Sequence, residues 1–451
     1  MTFIFYDTET TGLESAFDQI IQFAAIVTDD NFNILEELNL RCRLQPHILP
    51  SPGAMLVTGV GPRTIQQAPL SCYGMVREIR AFIERWSPAV VTGFNSIGYD
   101  EKMLRQAFYQ HLHPVYATNT RGNTRMDILI LAHAVAIWRP EALNVPLNEK
   151  AKPSFKLVDL MKANGLAMGN AHDAQADTKA TIDLARLLRE RAPDVWDDLF
   201  ASRSKALVCD RLENERFVQL TDRMFKKATI IAGVICAAPD NSAVHAMFDL
   251  EYDPTPYLDV NLERAKTLLK SSPRPIRLLR ANNLPIVRPW RGTAGAPIDM
   301  ATATARLKQI KEHPTFSSVI GQAIAGQYED AELTPHIEEQ IFDGFPSKSD
   351  TALMEKFHRA PWEERHQICL SFQEAKYRKF GERLIFAEYP AGLPPKTREE
   401  LDQWCRERHL TEDECKWMTR SKAIIELGKL REGKVLSQGD LLAEIRAFFS
   451  L

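Results

Sequence analysis

The stretch FIFYDTET, residues 3–10, decides the prediction of the fold. Its apolar run Phe3–Tyr6 indicates a buried strand that ends at the acidic residues Asp7 and Glu9. Because side chains two residues apart on a strand point to the same face, these two carboxylates lie side by side. No lysine or arginine is near them in the sequence, so they repel each other unless a cation lies between them. Oxygen ligands alone favour a hard ion such as Mg²⁺ or Mn²⁺, although an ordinary acidic turn after an edge strand is the alternative interpretation.

Two further segments supply acids in positions that suit the same site. Asp100 ends the segment NSIGYD, which follows the apolar strand Ala89–Thr92. His172 and Asp177 lie five residues apart, the first on a loop and the second one turn into a predicted helix over 174–191. Taken singly, His172 is also interpretable as an exposed or capping histidine, and Asp177 as a first-turn acid stabilised by the helix dipole. Their occurrence together, in this order over about 170 residues, favours an active site.

The wider pattern predicts an α/β layer followed by two regions of different character. Strand and helix signals alternate over the first 200 residues, which is typical of an α/β layer. The pattern lapses around Ala201–Leu220, and the sequence then becomes strand-rich, with one helix expected over Ala301–Glu312. The stretch 327–349 is acidic and contains proline and glycine, which indicates a linker or lid. From Asp350 onward a helical pattern returns, broken at Pro390–Pro395.

Composition excludes several classes of protein. The 451 residues include 56 Lys and Arg against 59 Asp and Glu, so any nucleic acid must bind in a local basic groove. Seven scattered cysteines without a C-x-x-C motif argue against a disulfide framework and a structural zinc site. The N-terminus lacks the features of a signal peptide, and 18 apolar residues never follow one another. We therefore expect a cytoplasmic protein that is not inserted in a membrane.

The motifs resemble a known family of nucleases. FIFYDTETTGL, GFNSIGYDEKML and NAHDAQADTKATIDLARLL are similar to the three motifs of the DEDD exonuclease superfamily. The spacing His172-x4-Asp177 identifies the histidine-bearing branch, because the other branch carries Tyr-x3-Asp. PSFKLVDLMKANG (153–165) and IFDGFPSKSDTALM (341–354) resemble the bacterial exodeoxyribonuclease I family. That resemblance implies an RNase H-like exonuclease domain over 1–200, an SH3-like β domain over 201–347 and an α-helical C-terminal domain over 350–451.

The resemblance also implies an activity and a set of roles. The family degrades single-stranded DNA from the 3′ end to 5′-mononucleotides in DNA repair and recombination. We expect Asp7, Glu9, Asp177 and Asp100 to hold two Mg²⁺ ions, with Mn²⁺ as the alternative, and His172 to act as general base. The residues expected to bind the substrate are Glu9, Thr10, Thr58, Lys156, Arg105 and Arg139. Relatives commonly have arginine where Lys156 stands, and an ordinary surface lysine remains the alternative interpretation.

The resemblance also predicts binding partners, and two rival functions stay open. The family binds single-stranded DNA and the acidic tail of single-stranded-DNA-binding protein, for which Arg288, Arg291 and Lys311 are candidates. The cluster Lys376–Phe380 is either part of a DNA channel or a solvated face. We expect a monomer. The rival functions are another nuclease of the same branch (a proofreading subunit, or an RNase T or oligoribonuclease type) and an inactive module that binds single-stranded DNA.

Overall fold

The computed structural model describes residues 1–167, 169, 173–221, 229–292, 296–325, 334–430 and 439–450. The strands are β1 (Phe3–Thr10), β2 (Ile20–Thr28), β3 (Ile34–Arg41), β4 (Val90–Thr92), β5 (Thr124–Arg125), β6 (Val218–Thr221), β7 (Thr229–Ala237), β8 (Val244–Asp249), β9 (Ile276–Arg280) and β10 (Ile286–Pro289). The helices are α1 (Pro52–Thr58), α2 (Pro62–Gln66), α3 (Cys72–Arg85), α4 (Asp100–Gln110), α5 (Ile128–Trp138), α6 (Leu157–Ala163), α7 (Ala174–Arg191), α8 (Pro193–Ala201), α9 (Lys205–Asn214), α10 (Thr255–Leu258), α11 (Leu262–Leu268), α12 (Met300–Glu312), α13 (Phe316–Ala325), α14 (Lys348–Arg359), α15 (Trp362–Cys369), α16 (Ala375–Glu388), α17 (Pro395–Leu410), α18 (Arg420–Leu430) and α19 (Gly439–Ser450).

The chain forms two compact units, each assembled from separate stretches of sequence. The first unit comprises Met1–Asn123, Ala167–Ile182 and Leu333–Leu451, and the second comprises Thr124–Leu166 and Asp183–Glu332. The division into three consecutive domains stays a prediction. Among the described residues, no helix is long and apolar enough to cross a membrane.

A mixed sheet lies at the centre of the first unit. Within this unit the strand order is β3-β2-β1-β4, with β1 antiparallel to β2 and parallel to β4. All nine residues of β2 are buried, which explains its largely apolar sequence. The parallel pairing of Phe5 with Thr92 directs the ends of β1 and β4 to the same edge of the sheet. The segment that leads to Asp100 therefore starts beside the acidic end of β1.

Helices cover this sheet and extend the unit. The helical spacing of apolar residues in VREIRAFIERW (76–86) predicts a helix with one apolar face before β4, and the structure confirms it, since Ile79, Phe82 and Ile83 of α3 are buried in the same core as β1 and β2. The C-terminal helices confirm the helical pattern predicted from Asp350 onward, and Phe357 and Phe380 pack with Tyr109 of α4. Helices α18 and α19 share a separate core with α1 and α2. The C-terminal helices thus belong to the same compact unit as the central sheet.

The second unit contains an antiparallel sheet in the order β10-β6-β7-β8-β9. Helices α12 and α13 pack on it, where Ile310, Phe316 and Ile320 are fully buried. The strands predicted in this region are present, and the helix expected over Ala301–Glu312 begins one residue earlier.

Candidate active site

Three carboxylates meet at the end of β1 in the first unit. Asp7 and Glu9 come from β1, and Asp177 comes from the first turn of α7. One oxygen of each lies within 4.8 Å of the others. Strand alternation accounts for the first pair, as the sequence predicts, whereas the packing of α7 supplies the third acid. Three oxygen donors at this spacing suit a divalent cation such as Mg²⁺.

Two hydrogen bonds fix a fourth acid, Asp100, next to this group. Asp100, the first residue of α4, is 4% exposed. Its Oδ1 accepts a bond of 3.1 Å from the backbone N–H of Thr8 and one of 2.5 Å from the Thr8 hydroxyl. Because Thr8 lies between Asp7 and Glu9 on β1, these two hydrogen bonds tie the start of α4 to the strand between those acids.

The carboxylates of this group are at least partly buried and repel one another. Burial, followed by repulsion from Asp100, Glu9 and Asp177, raises the pKa of Asp7 well above its ordinary value. Burial and the neighbouring acids Asp177 and Asp100 raise the pKa of Glu9 to about 8. Arg41 opposes that rise only in part, and its guanidinium forms an ion pair of 3.3 Å with Asp173. The carboxylates present therefore fit a cation-binding site, because a divalent ion removes the repulsion that their burial creates.

A cavity of about 770 Å³ reaches this group of acids at Glu9. Glu9, Thr10 and Thr58, which the sequence analysis places against the substrate, all line it. Tyr99, which precedes Asp100 and was not predicted as a site residue, also lines it and donates a 2.8 Å bond to the carbonyl oxygen of Gly12. The Thr10 hydroxyl lies 2.9 Å from the same carbonyl oxygen and within hydrogen-bond distance of the Tyr99 hydroxyl, and it donates its single proton to one of these two oxygens. The cavity wall beyond β1 is thus held by a network of threonine and tyrosine hydroxyls.

The half-buried Asp18, which the sequence does not single out, holds the loop after β1. Asp18 accepts bonds of 2.8 Å from the Thr11 hydroxyl and from the backbone N–H of Glu14. A Cβ atom on Gly12 would lie 2.5 Å from Asp18 Oδ2, so only glycine permits this approach. The glycine of FIFYDTETTGL was the sequence signal for this close contact.

The structure places the predicted cationic residues in different surroundings. In the first unit, Arg105 Nε lies 2.8 Å from Glu101 Oε1 and its side chain is 17% exposed. In the second unit, Arg139 Nη2 lies 2.8 Å from Asp194 Oδ2, and the exposed Lys156 precedes the first residue of α6. His172 lies outside the described residues. The roles proposed for these four residues stay predictions.

The structure also shows the contacts of the residues that are candidates for the partner surface and the DNA channel. In the second unit, the Arg288 guanidinium lies 4.4 Å from the Trp138 ring centroid, and Arg291 forms an ion pair with Glu215. Lys311 Nζ is 3.4 Å from the carbonyl oxygen of Ile235. In the cluster Lys376–Phe380, by contrast, Tyr377 and Phe380 are 2% and 1% exposed. These two aromatic side chains belong to the helical core, and a DNA-channel role for the cluster stays a prediction.

Comparisons with known proteins agree with this architecture. The family model described as Exonuclease matches residues 4–185, and the one described as Exonuclease I C-terminal domain matches residues 335–450. Exodeoxyribonuclease I of Escherichia coli (strain K12) is 31% identical over 374 residues, which cover 78% of each chain. The corresponding protein of Haemophilus influenzae is 37% identical over 206 residues, covering 45% of this chain and 43% of that one.

Solved structures extend the similarity over the whole chain. Exonuclease I from Methylocaldum szegediense superposes with a TM-score of 0.88 at 25% identity, covering 100% of this chain and 99% of that one. E. coli exonuclease I in complex with a dT13 oligonucleotide gives a TM-score of 0.87 at 25% identity, covering 100% and 98%. Oligoribonuclease of Photobacterium profundum, by contrast, matches only 39% of this chain, at 26% identity. The chain therefore belongs to the exodeoxyribonuclease I family and is a 3′→5′ exonuclease that acts on single-stranded DNA.

Proposed function

We propose that this enzyme hydrolyses the terminal phosphodiester at the 3′ end of a DNA strand and releases 5′-mononucleotides, using two Mg²⁺ ions held by Asp7, Glu9 and Asp177. The observation that carries the proposal is the placement of three carboxylate oxygens within 4.8 Å of one another, beside a cavity. Divalent-metal dependence is consistent with the family and with this donor set. We propose that both ions are Mg²⁺ rather than Mn²⁺.

Each carboxylate has a role that follows from its position. Asp7 is central, because Asp100, Glu9 and Asp177 all raise its pKa, and we assign it to both ions. Glu9 and Asp177 complete the ligand set, and Asp100 acts at longer range through water while it holds Thr8. When bound, the ions neutralise the negative charge that develops on the phosphate and on the leaving 3′ oxygen.

The proton chemistry is assigned to His172. Hydrolysis requires a base that accepts a proton from the attacking water as its oxygen bonds to phosphorus and the bond to the 3′ oxygen breaks. An imidazole with a pKa near neutrality suits this task. The spacing His172-x4-Asp177 supports the assignment, because in the sequence the histidine is two residues before the helix that carries Asp177.

The remaining residues are assigned to substrate binding. Thr10 and Thr58 line the cavity beside Glu9, where a terminal nucleotide would lie. Lys156, Arg139 and Arg105 are proposed to contact phosphates of the strand. Arg105 must then exchange its ion pair with Glu101 for a phosphate, because both side chains are largely buried.

A protein partner and a setting are also part of the proposal. We propose that the enzyme works as a cytoplasmic monomer and binds the acidic tail of single-stranded-DNA-binding protein. Membership of the family supports this, and Arg288, Arg291 and Lys311 of the second unit are the candidate contacts. Arg291 would exchange Glu215 for an acid of the tail.

The proposal is tested by the release of nucleotides from a single strand labelled at its 3′ or 5′ end. We expect immediate Mg²⁺-dependent release of the 3′ label as a mononucleotide, none in EDTA, and retention of the 5′ label until the strand is short. Asp7→Ala should abolish release, whereas Asp240→Ala, which changes an exposed acid of the second unit, should not. Retention of more than a few per cent of the activity in Asp7→Ala would refute the assignment of the metal ligands.

A further inference from the structure

One wall of the cavity is formed by a segment that follows β3 in the sequence. Helix α1 ends at Thr58, and Gly59, with a φ of 69°, turns the chain toward α2. Ser51, Gly53 and Thr58 of this segment line the cavity together with Glu9. The backbone N–H of Ser51 donates a 2.7 Å bond to the carbonyl oxygen of Thr11, just beyond β1. The position of α1 therefore determines the width of the cavity next to the metal-binding acids.

A glutamate more than 370 residues later in the chain holds the start of α1. Glu426 of α18 accepts bonds of 2.9 and 3.1 Å from the Ser51 hydroxyl and one of 3.1 Å from the backbone N–H of Gly53. The same Ser51 oxygen accepts a 3.1 Å bond from the N–H of Ala54. Amide groups at the start of a helix have no partner inside the helix, so this carboxylate supplies what the local sequence lacks.

A second glutamate holds α2 in the same way. Glu444 of α19 accepts a hydrogen bond from the backbone N–H of Arg63, in the first turn of α2. Both contacts depend on glycine: a Cβ atom on Gly53 would lie 2.5 Å from Glu426 Oε1, and one on Gly61 would lie 2.9 Å from Glu444 Oε1.

A buried apolar core lies beneath these two contacts. It joins α1 and α2 to α18 and α19, with the buried members Met55, Leu56, Val60, Ile65, Ala423, Leu427 and Ile445. Apolar packing is not directional and would allow α1 and α2 to slide over this core. The hydrogen bonds to the two carboxylates are directional, so they fix the positions of both helices on it.

We propose that Glu426 and Glu444 are positioning residues: Glu426 holds α1, which lines the cavity, and Glu444 holds α2, which follows α1 directly, so that together they determine how tightly the 3′-terminal nucleotide is held. The inference rests on the proposed function, because it takes the cavity as the site of that nucleotide. Glu426 itself borders the cavity, but Ser51 and Gly53 already engage its two oxygens, so it acts through the backbone of α1. The metal-binding acids lie on β1 and α7, outside this wall, so loss of either glutamate should affect binding more than chemistry.

Steady-state kinetics on a 3′-labelled single strand with Mg²⁺ test the inference. We expect Glu426→Ala and Glu444→Ala each to raise KM about tenfold, while kcat changes by less than about threefold. A second readout compares KM for a normal 3′ end with KM for a strand whose terminal nucleotide lacks its base. The ratio of these two values should fall toward one in the variants, which a general loss of stability would not produce.

Matched variants separate this role from simple destabilisation. Gly53→Ala should show the same rise in KM as Glu426→Ala, because the new Cβ atom displaces the carboxylate. Gly428→Ala should behave like the wild type, since nothing lies within 4 Å of a Cβ atom there although it is on the same helix. Glu426→Gln keeps an acceptor for the N–H of Gly53 and should fall between the wild type and Glu426→Ala.

The outcomes distinguish two failures. If the wild type releases nucleotides and the folded variants keep its KM and its ratio, the positioning role is refuted and the proposed function stands. If the wild type releases no nucleotide from a 3′ end, the proposed function itself is refuted, and the inference with it.

Discussion

Replacement of Glu9 by glutamine should make the metal-free protein more stable, by an amount that depends on pH in a defined way. Glu9 is 9% exposed, and burial and the nearby acids raise its pKa from 4.5 to about 8. Between these values the folded protein keeps the carboxyl protonated while the unfolded chain ionises it. Each pH unit in that range therefore lowers the free energy of unfolding of the wild type by about 1.4 kcal/mol.

The free energy of unfolding of the Glu9→Gln variant does not fall in this way, because an amide does not titrate. We expect the two proteins to differ little below pH 4.5 and the Glu9→Gln variant to be more stable by about 3 kcal/mol at pH 7 in EDTA, with no further gain above pH 8. Urea unfolding at a series of pH values, in EDTA, measures the difference. A difference that stays constant from pH 4.5 to 8 would show that the acids do not interact as the structure indicates.

Addition of Mg²⁺ should reverse the order. The ions bind the folded wild type and stabilise it by mass action, whereas the variant has lost one ligand and gains less. Glu355→Gln is a suitable control, because Glu355 is exposed and its nearest cation is Arg359 at 3.5 Å. The stability of that variant should stay within about 0.5 kcal/mol of the wild type at every pH and Mg²⁺ concentration.

Two further predictions concern the proton acceptor and the path of the strand. His172→Ala should lower the rate roughly 10²–10⁴-fold with DNA binding nearly unchanged, and its pH–rate profile should lose the acid limb; a loss of binding with normal turnover would instead assign the histidine to positioning. Lys156→Ala and Arg139→Ala should each reduce the slope of log K against log salt by about 0.7 for any base sequence, measured with Ca²⁺ in place of Mg²⁺ so that the strand is not cut. Exposed Lys429 provides the control, and unchanged slopes in both variants would identify Lys156 and Arg139 as ordinary surface residues.

The sequence alone was sufficient to predict features that lie within a single strand or helix. The period of two along β1 puts Asp7 and Glu9 on one face, and the helical period predicts the buried face of α3. The bounds predicted for the helix over 174–191 are those of α7. These features depend on neighbouring residues, whose relative positions follow from backbone geometry.

Only the tertiary structure determined the features that depend on residues distant in sequence. The hydrogen bonds between Thr8 and Asp100 join residues 92 positions apart in the sequence. Those between Glu426 and the start of α1 join residues more than 370 positions apart. Whether Arg105 is available to DNA likewise depends on its partner, Glu101, and on how deeply the packing buries both side chains. Local periodicity carries no information about such pairs, because a hydrogen bond or an ion pair between distant residues exists only after the apolar cores have brought their elements together.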